Sequence, residues 1–308
     1  MSATIVFQRL TKRFGSLTAL DDFSAEAAPG RITAFLGANG SGKTTSMRLL
    51  LGLDSPTAGS ATVGGRDYRT IARPMQVVGA VIDQGFHPSR TARNHLRIVT
   101  RQAGMPRDRT DSVLELVGLT SAADRRVGGY SLGMRQRLAL AAALVGDPEV
   151  LVLDEPFNGL DPEGIAIMRR FLRAFADEGR TVFLSSHLLA EVAHSADDAI
   201  IIDHGRLVTA GPVHELMPQA PEVLVSTKDA DLLAVALSHR GATVRRHGPE
   251  QIAVGDVTRE VIGRTALDVG AVILDMHTTG DDLESIFATL TQSQPQSQPQ
   301  PQPQPSGT

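Results

Sequence analysis

The sequence of 308 residues contains no cysteine and no tryptophan. The absence of cysteine excludes a disulfide framework and a cysteine-ligated metal site, and it fits a reducing compartment. Long apolar runs are absent too. The longest, LALAAALVG at 138–146, is far shorter than the roughly 20 residues that span a bilayer, and the N-terminus has no apolar core of signal-peptide length. We therefore expect a chain that is soluble by itself and meets a membrane only through a partner.

A surplus of positive charge is also missing. The formal net charge is −4, and lysine supplies only three of the thirty basic residues. A protein whose main partner is a nucleic acid normally carries a basic excess, so we expect no nucleic-acid partner. The length suggests one large domain together with something smaller.

What the sequence does contain is a regular alternation of strand and helix patterns. Residues 1–36 predict short strands, and GSATVGGRDY at 59–68 predicts a hairpin. Residues 89–127 carry apolar residues at three- and four-residue spacing and predict helices. Apolar runs that alternate with helices up to about residue 215 predict a parallel sheet of βαβ units.

The pattern changes near Pro218. Residues 219–291 predict the order βαββαβ with one helix added, which is the ferredoxin-like α+β pattern. Residues 292–308 form a Pro/Gln repeat that cannot build a core, and we expect a disordered, solvated tail with polyproline II character. The predicted boundaries are 1–218, 219–291 and 292–308.

One motif predicts a phosphate site. GANGSGKT, Gly37 to Thr44, fits the P-loop pattern G-x-x-x-x-G-K-[ST], and it follows an apolar strand and opens a helix. Lys43 is expected to reach the β- and γ-phosphates, and Thr44 to bind Mg²⁺. A glycine-rich turn without a ligand is the alternative, and this context disfavours it. The predicted nucleotide-binding residues of the loop are Gly37, Asn39, Gly40, Ser41, Gly42, Lys43, Thr44 and Thr45.

Two acids follow the apolar strand VLVL. Asp154 can hold Mg²⁺ directly or through water, and Glu155 can act as the general base on a water that attacks the γ-phosphate. An acid pair that merely caps a strand end is the alternative, and the P-loop makes it the weaker one. His187, at the end of the next strand, can hydrogen-bond the γ-phosphate, although a single histidine is more often a surface or core residue.

These motifs, in this order, resemble the ATP-binding cassette (ABC) family over residues 1 to about 218. The resemblance implies a P-loop NTPase core with an antiparallel β subdomain and a helical subdomain at about 89–140. YSLGM, residues 130–134, stands where the family has its LSGGQ signature. In the family two such domains dimerise head to tail, so Ser131 and Gly133 are expected to contact the partner's γ-phosphate from a helix N-terminus. An ordinary serine N-cap is the alternative.

The resemblance extends to further positions. It implies that Phe14 stacks on adenine, that Asp161 lies in the loop coupling the two sites, and that His187 is the switch histidine. Two features depart from the family pattern. The signature has Tyr130 for the usual leucine, Leu132 for the first glycine and Met134 for glutamine, and the Q-loop glutamine aligns with Asp83, one residue before Gln84. Either Asp83 or Gln84 is expected to serve Mg²⁺ or the attacking water.

The leading functional hypothesis is an ATPase subunit of an exporter. FHPSRTARNHLRIV, at 86–99, looks like the segment that meets a membrane subunit, and the chain resembles the drug-efflux and antibiotic self-resistance branch. Two copies with ATP and Mg²⁺ would power a separate permease pair at the cytoplasmic face of the membrane. The alternatives are a soluble cassette ATPase acting on DNA, ribosomes or an assembly scaffold, and a nucleotide-gated module that does not hydrolyse ATP.

Overall fold

The computed structural model describes residues 3–82, 85–186, 195–216 and 222–279. The strands of these residues are β1 (Ile5–Phe14), β2 (Leu17–Ala27), β3 (Ile32–Leu36), β4 (Ala58–Val63), β5 (Val78–Val81), β6 (Val150–Leu153), β7 (Thr181–Ser186), β8 (Asp198–Asp203), β9 (Arg206–Pro212), β10 (Glu222–Thr227), β11 (Thr243–Gly248), β12 (Gln251–Gly255) and β13 (Ile273–Thr279). The helices are α1 (Lys43–Leu50), α2 (Pro74–Val77), α3 (Ala92–Gln102), α4 (Arg109–Leu116), α5 (Leu132–Leu144), α6 (Pro162–Asp177), α7 (Val213–Leu216), α8 (Ala230–Ser238) and α9 (Arg259–Val269).

The central sheet has six strands in the order β5-β6-β7-β3-β8-β9. The first five are parallel, which confirms the predicted parallel sheet, and β9 pairs antiparallel with β8. Every residue of β3, β6 and β7 is buried, as expected for strands covered on both faces. Because these three strands are neighbours and parallel, their carboxyl ends meet at one edge of the sheet. The P-loop and the two acids follow β3 and β6 there.

Two apolar cores cover the two faces of this sheet. On one face, alternate residues such as Ala34, Leu151 and Leu184 pack with α3, α4, α5 and α6. On the other face, Phe35 and Phe183 pack against α1 and the strands β1 and β2. Four phenylalanine rings meet on that second face at centroid distances of 5.3–5.7 Å, and they are Phe7, Phe23, Phe35 and Phe183.

A second, antiparallel sheet has the order β2-β1-β4. The hairpin predicted at 59–68 is wrong, since this stretch contributes the single strand β4, which pairs with β1. Gly64 and Gly65 have positive φ angles of 57° and 73° and turn the chain. Beyond them only one bridge, Val63 to Arg66, forms before a short 3₁₀ turn.

The remaining described residues form a third sheet, with all pairings antiparallel and the order β11-β12-β10-β13. Along the chain its elements run β10-α8-β11-β12-α9-β13. They enclose a core of their own, which includes Val225, Leu233, Ile252 and Ile262. The helix predicted after β13 and the Pro/Gln tail lie outside the described residues. Among the described helices, none has the length and apolar character needed to cross a membrane.

Candidate functional site

The loop between β3 and α1 has the backbone of a phosphate-binding loop. Gly40 and Gly42 adopt positive φ angles of 82° and 113°. A Cβ on Gly42 would lie 2.8 Å from the Ala19 carbonyl oxygen, and one on Gly37 would lie 2.5 Å from that of Ile202. Both positions therefore require glycine, since the loop is pressed against neighbouring backbone. The loop leads directly into the N-terminus of α1, where free amide groups favour an anion.

Lys43 is folded into this loop and is only 6% exposed. Its ammonium group donates to the carbonyl oxygens of Gly37 at 2.6 Å and Ala38 at 3.2 Å. Burial lowers the pKa of Lys43, and the charges of Glu155 and Asp154 partly oppose that shift. A buried cation whose pKa is lowered by desolvation gains from an added anion, so the loop suits the phosphates of a nucleotide.

Ser41 also points to a missing ligand. Its hydroxyl oxygen is buried in the loop, and within the described residues it has no hydrogen-bond partner. Buried hydroxyl groups are nearly always satisfied. A phosphate oxygen held by the loop would supply the partner, and the residues of the loop therefore fit ATP.

Two of the four magnesium ligands predicted from the sequence, Thr44 and Asp154, lie together. Asp154 follows β6, and its backbone amide donates to the Val81 carbonyl at 2.7 Å. The hydroxyl of Thr44 donates to Asp154 Oδ2 at 2.7 Å. A hydroxyl and a carboxylate in contact beside a phosphate site match the hard oxygen ligands that Mg²⁺ prefers. Thr44 and Asp154 thus fit Mg²⁺, with the remaining positions left to phosphates and water.

Glu155 is held in an unusual backbone conformation. Its φ angle is +51°, which costs a residue with a side chain about 1–2 kcal/mol. Its amide donates to Ser185 Oγ at 2.9 Å, and the same hydroxyl donates to Asp154 Oδ1. Strain of this kind persists where neighbouring structure fixes it. Ser185 did not emerge from the sequence; the only signal was its position at the carboxyl end of a buried strand.

The predicted signature occupies a separate place. Ser131 is exposed and is the N-cap of α5, accepting from the Met134 amide at 3.2 Å. Ser131 and Gly133 line a cleft of about 660 Å³ between α5 and α6 that also includes Asp161, and no residue of 37–45, nor Asp154 or Glu155, lines it. Ser131 therefore does cap α5, and because its oxygen is the acceptor in this bond, the hydroxyl hydrogen is left for a ligand.

The unusual Leu132 of the signature is accommodated by a glycine in the loop before α6. A Cβ on Gly159 would lie 2.0 Å from Leu132 Cδ2 and 2.6 Å from its Cγ, and Gly159 has a φ angle of +74°. A Cβ on Gly133 would lie 3.4 Å from Leu160 Cδ2. The start of α5 therefore interlocks with the loop that carries Asp161. This pairing is a contact between distant segments, which the local sequence pattern does not indicate.

Two further predicted residues are placed at the surface. Asp161 is the N-cap of α6, and its Oδ1 accepts from the Gly164 amide at 3.0 Å. Phe14, at the end of β1, is 48% exposed, and the Lys12 ammonium lies 4.6 Å from its ring centroid. Phe14 is therefore not a core residue, and its exposed part is accessible to a ligand. Asp83, Gln84 and His187 lie outside the described residues.

Comparison with known proteins agrees with this geometry. The family described as "ABC transporter" matches residues 20–158. The bacitracin transport ATP-binding protein BcrA of Bacillus licheniformis is 34% identical, covering 94% of this chain and 98% of BcrA. The lantibiotic transport ATP-binding protein SrtF of Streptococcus pyogenes is 37% identical over 65% of this chain and 87% of SrtF.

Solved structures share the fold. An ATP-binding subunit of an ABC transporter superposes with a TM-score of 0.63 at 23% identity, over 69% of this chain and 91% of that one. A dimeric post-hydrolysis ATP-binding cassette bound to ADP and Pi gives a TM-score of 0.62 at 22% identity, over 68% and 98% of the two chains. The chain belongs to the ABC transporter family and is one of its ATP-hydrolysing, ATP-binding subunits.

Proposed function

We propose that two copies of this chain close head to tail around ATP and drive a separately encoded membrane permease that exports an antibiotic-like molecule. The observation that carries the proposal is that the predicted site residues lie in two separate places. Lys43, Thr44, Asp154 and Glu155 lie together, whereas Ser131 lines a different cleft. A helix N-terminus in a cleft that its own P-loop does not line suits a second copy's nucleotide.

Each predicted residue has a role in this closed pair. Lys43 and the P-loop amides hold the β- and γ-phosphates, and Phe14 stacks on adenine. Ser131 donates its hydroxyl hydrogen to the partner's γ-phosphate, and Gly133 brings the backbone close.

Asp161 couples the two sites across the dimer. His187, and either Asp83 or Gln84, complete the contacts to the γ-phosphate and the attacking water.

Hydrolysis needs little covalent chemistry from the protein, because phosphoryl transfer depends mainly on positioning and charge stabilisation. Mg²⁺, held by Thr44 and Asp154, would neutralise charge on the phosphate oxygens. Glu155 accepts the proton of the attacking water. ATP favours the closed pair because it contacts both copies only there, and its hydrolysis removes that preference. This opening and closing would be the motion passed to the permease.

The proposed substrate class rests on the relatives, and the export direction on the resemblance of the sequence to the drug-efflux branch. BcrA and SrtF are described by their transport of bacitracin and a lantibiotic, and the first of these matches almost end to end. We therefore place this chain at the cytoplasmic face of a membrane, bound through its permease. The segment at 86–99 is proposed as the permease contact.

We also propose that the chain has two folded units, 1–218 and 219–291, with 292–308 as a tail. The separate core of the third sheet supports the boundary. Its strand order and its βαββαβ succession support a ferredoxin-like assignment for the second unit. Stabilising the dimer or the membrane interface is its proposed role.

The test is Mg²⁺-dependent ATP hydrolysis across a series of protein concentrations. Wild type should hydrolyse ATP at a rate that rises faster than linearly with protein. Glu155→Gln should abolish hydrolysis and accumulate an ATP-bound dimer, while Glu26→Gln, at an exposed carboxylate on β2, should behave as wild type. Unchanged hydrolysis in Glu155→Gln would contradict the proposal. ATP binding without hydrolysis, even with candidate permeases in lipid, would favour the regulatory module.

A further inference from the structure

We infer that Ser185 is a positioning residue for hydrolysis, one hydroxyl that fixes both the magnesium-binding carboxylate and the backbone of the general base. Nothing in the family motifs of the sequence marks it. The inference rests on the proposed roles of Asp154 and Glu155, and it adds the group that sets their geometry.

The position of Ser185 follows from the register of the sheet. Leu153 of β6 pairs with Leu184 of β7, so Asp154, the first residue after β6, lies beside Ser185, which is still paired with Phe35 of β3. Ser185 is fully buried, with 0% exposure. Its hydroxyl is therefore shielded from water and can be satisfied only by protein groups or a bound ligand.

That hydroxyl has two partners with distinct functions. It accepts from the Glu155 amide at 2.9 Å and donates to Asp154 Oδ1. The other carboxylate oxygen, Oδ2, accepts from Thr44 at 2.7 Å. A continuous chain of hydrogen bonds thus runs from the Glu155 backbone through the buried Ser185 and the half-buried Asp154 to the exposed Thr44, and the bonds of such a chain polarise one another.

Each contact has a consequence for hydrolysis. Because Glu155 has a φ angle of +51°, its backbone needs an external group to hold that conformation. The hydrogen bond to Ser185 fixes the Glu155 amide, and the orientation of this amide fixes the direction in which the Glu155 side chain leaves the backbone. Holding Oδ1 of Asp154 in turn directs Oδ2 toward Thr44 and the phosphates. A small displacement of either carboxylate lowers the rate of hydrolysis, because catalytic groups act at defined distances.

The test compares Ser185→Ala with Thr181→Val. Thr181 lies on the same strand, is equally buried, and donates its hydroxyl hydrogen to the Ala3 carbonyl at 2.7 Å, so its variant also removes one buried hydroxyl bond. Three quantities are measured in the full-length protein: kcat and KM for ATP, the Mg²⁺ concentration at half-maximal nucleotide binding, and hydrogen exchange of the Glu155 amide.

Ser185→Ala should lower kcat about 10- to 100-fold, the range found for groups that orient ligands of a metal site. Its KM should change far less, its Mg²⁺ requirement should rise, and the Glu155 amide should exchange faster. Ser185→Thr, which keeps the hydroxyl, should restore most of kcat. Thr181→Val should lose stability without changing kcat, the Mg²⁺ requirement or that exchange.

The outcomes separate the two proposals. If Glu155→Gln is inactive and Ser185→Ala matches Thr181→Val in all three quantities, Ser185 does not position the acids, while the general-base role stands. If Glu155→Gln hydrolyses ATP normally, the proposed function itself has failed. Should Ser185→Ala not fold, Ser185→Cys, which keeps a weak donor and acceptor, must show a lowered kcat for the inference to survive.

Discussion

The contact between Leu132 and Gly159 supports a quantitative prediction about the altered signature. Gly159→Ala would place a Cβ 2.0 Å from Leu132 Cδ2 at a φ angle of +74°. The positive φ costs about 1–2 kcal/mol for a residue with a side chain, and the collision costs about 1–3 kcal/mol, as for overpacking. Gly159→Ala should therefore lower the free energy of unfolding by about 2–5 kcal/mol.

Substitution of Leu132 separates the cost of the positive φ angle from the cost of the collision. Leu132 is 55% exposed, so Leu132→Ala should cost only about 1 kcal/mol of lost burial. It also removes the two nearest atoms and leaves the Leu132 Cβ 3.4 Å from the new methyl group. The double variant should then cost about 2–3 kcal/mol, less than the sum of the single changes by about 1–3 kcal/mol, which is the size expected for residues in contact.

The assay is urea unfolding of the four proteins, together with their ATPase rates. Gly179→Ala is the matched control, because Gly179 has a φ angle of +84° and no atom within 4 Å of a built Cβ. Gly179→Ala should show only the cost of the positive φ angle, and its effect on the free energy of unfolding should add to that of Leu132→Ala without coupling. Additivity within about 0.5 kcal/mol for Leu132 and Gly159 would refute the interlock. A kcat that falls in Gly159→Ala and recovers in the double variant would further show that the contact positions the loop bearing Asp161.

Three further predictions concern single groups. Burial lowers the pKa of Lys43 below its ordinary value of 10.5, and bound phosphate should raise it. At a pH between the lowered pKa of free Lys43 and the raised pKa of the complex, ATP binding should therefore take up protons, and its affinity should fall as the pH rises through the lowered pKa. Calorimetry in buffers of different ionisation enthalpy measures this uptake, and Lys43→Met, the control, should show none. Tyr130→Phe removes a hydrogen bond to the Ala122 carbonyl at 2.6 Å and should lower the free energy of unfolding in urea by about 1–3 kcal/mol. Its ATP affinity should be unchanged, and a shifted affinity would place Tyr130 at the nucleotide. Phe14→Ala should weaken ATP binding by about 1–3 kcal/mol, the value of aromatic stacking on a base, whereas Leu17→Ala, at a 65% exposed neighbour, should not; equal effects would exclude stacking.

Much of the fold was predictable because its signals are local. The P-loop spacing, the apolar runs and the serine before α5 each specify structure within a few residues, and the parallel sheet and the start of α5 were predicted on that basis. The hairpin at 59–68 failed for the opposite reason. Its glycines indicated a turn, but the partner of β4 is β1, some fifty residues earlier, and spacing alone does not identify a distant partner.

The parts of the site that could not be predicted from the sequence are contacts between distant segments. Ser185 meets Asp154 only because β6 and β7 are neighbours in register, and Leu132 meets Gly159 across the start of two helices. Each residue is unremarkable within its own stretch of sequence. The departure at Leu132 was noted, yet its compensation by Gly159 required the fold.

The central claim is that each ATP is held by the P-loop of one copy and the signature of the other. The most direct test mixes two inactive variants, Lys43→Ala and Ser131→Arg, and measures ATP hydrolysis. In the mixed dimer one site combines the intact Lys43 of one copy with the intact Ser131 of its partner. The account predicts that activity absent from each variant alone returns on mixing. A mixture that forms mixed dimers and remains inactive would contradict it.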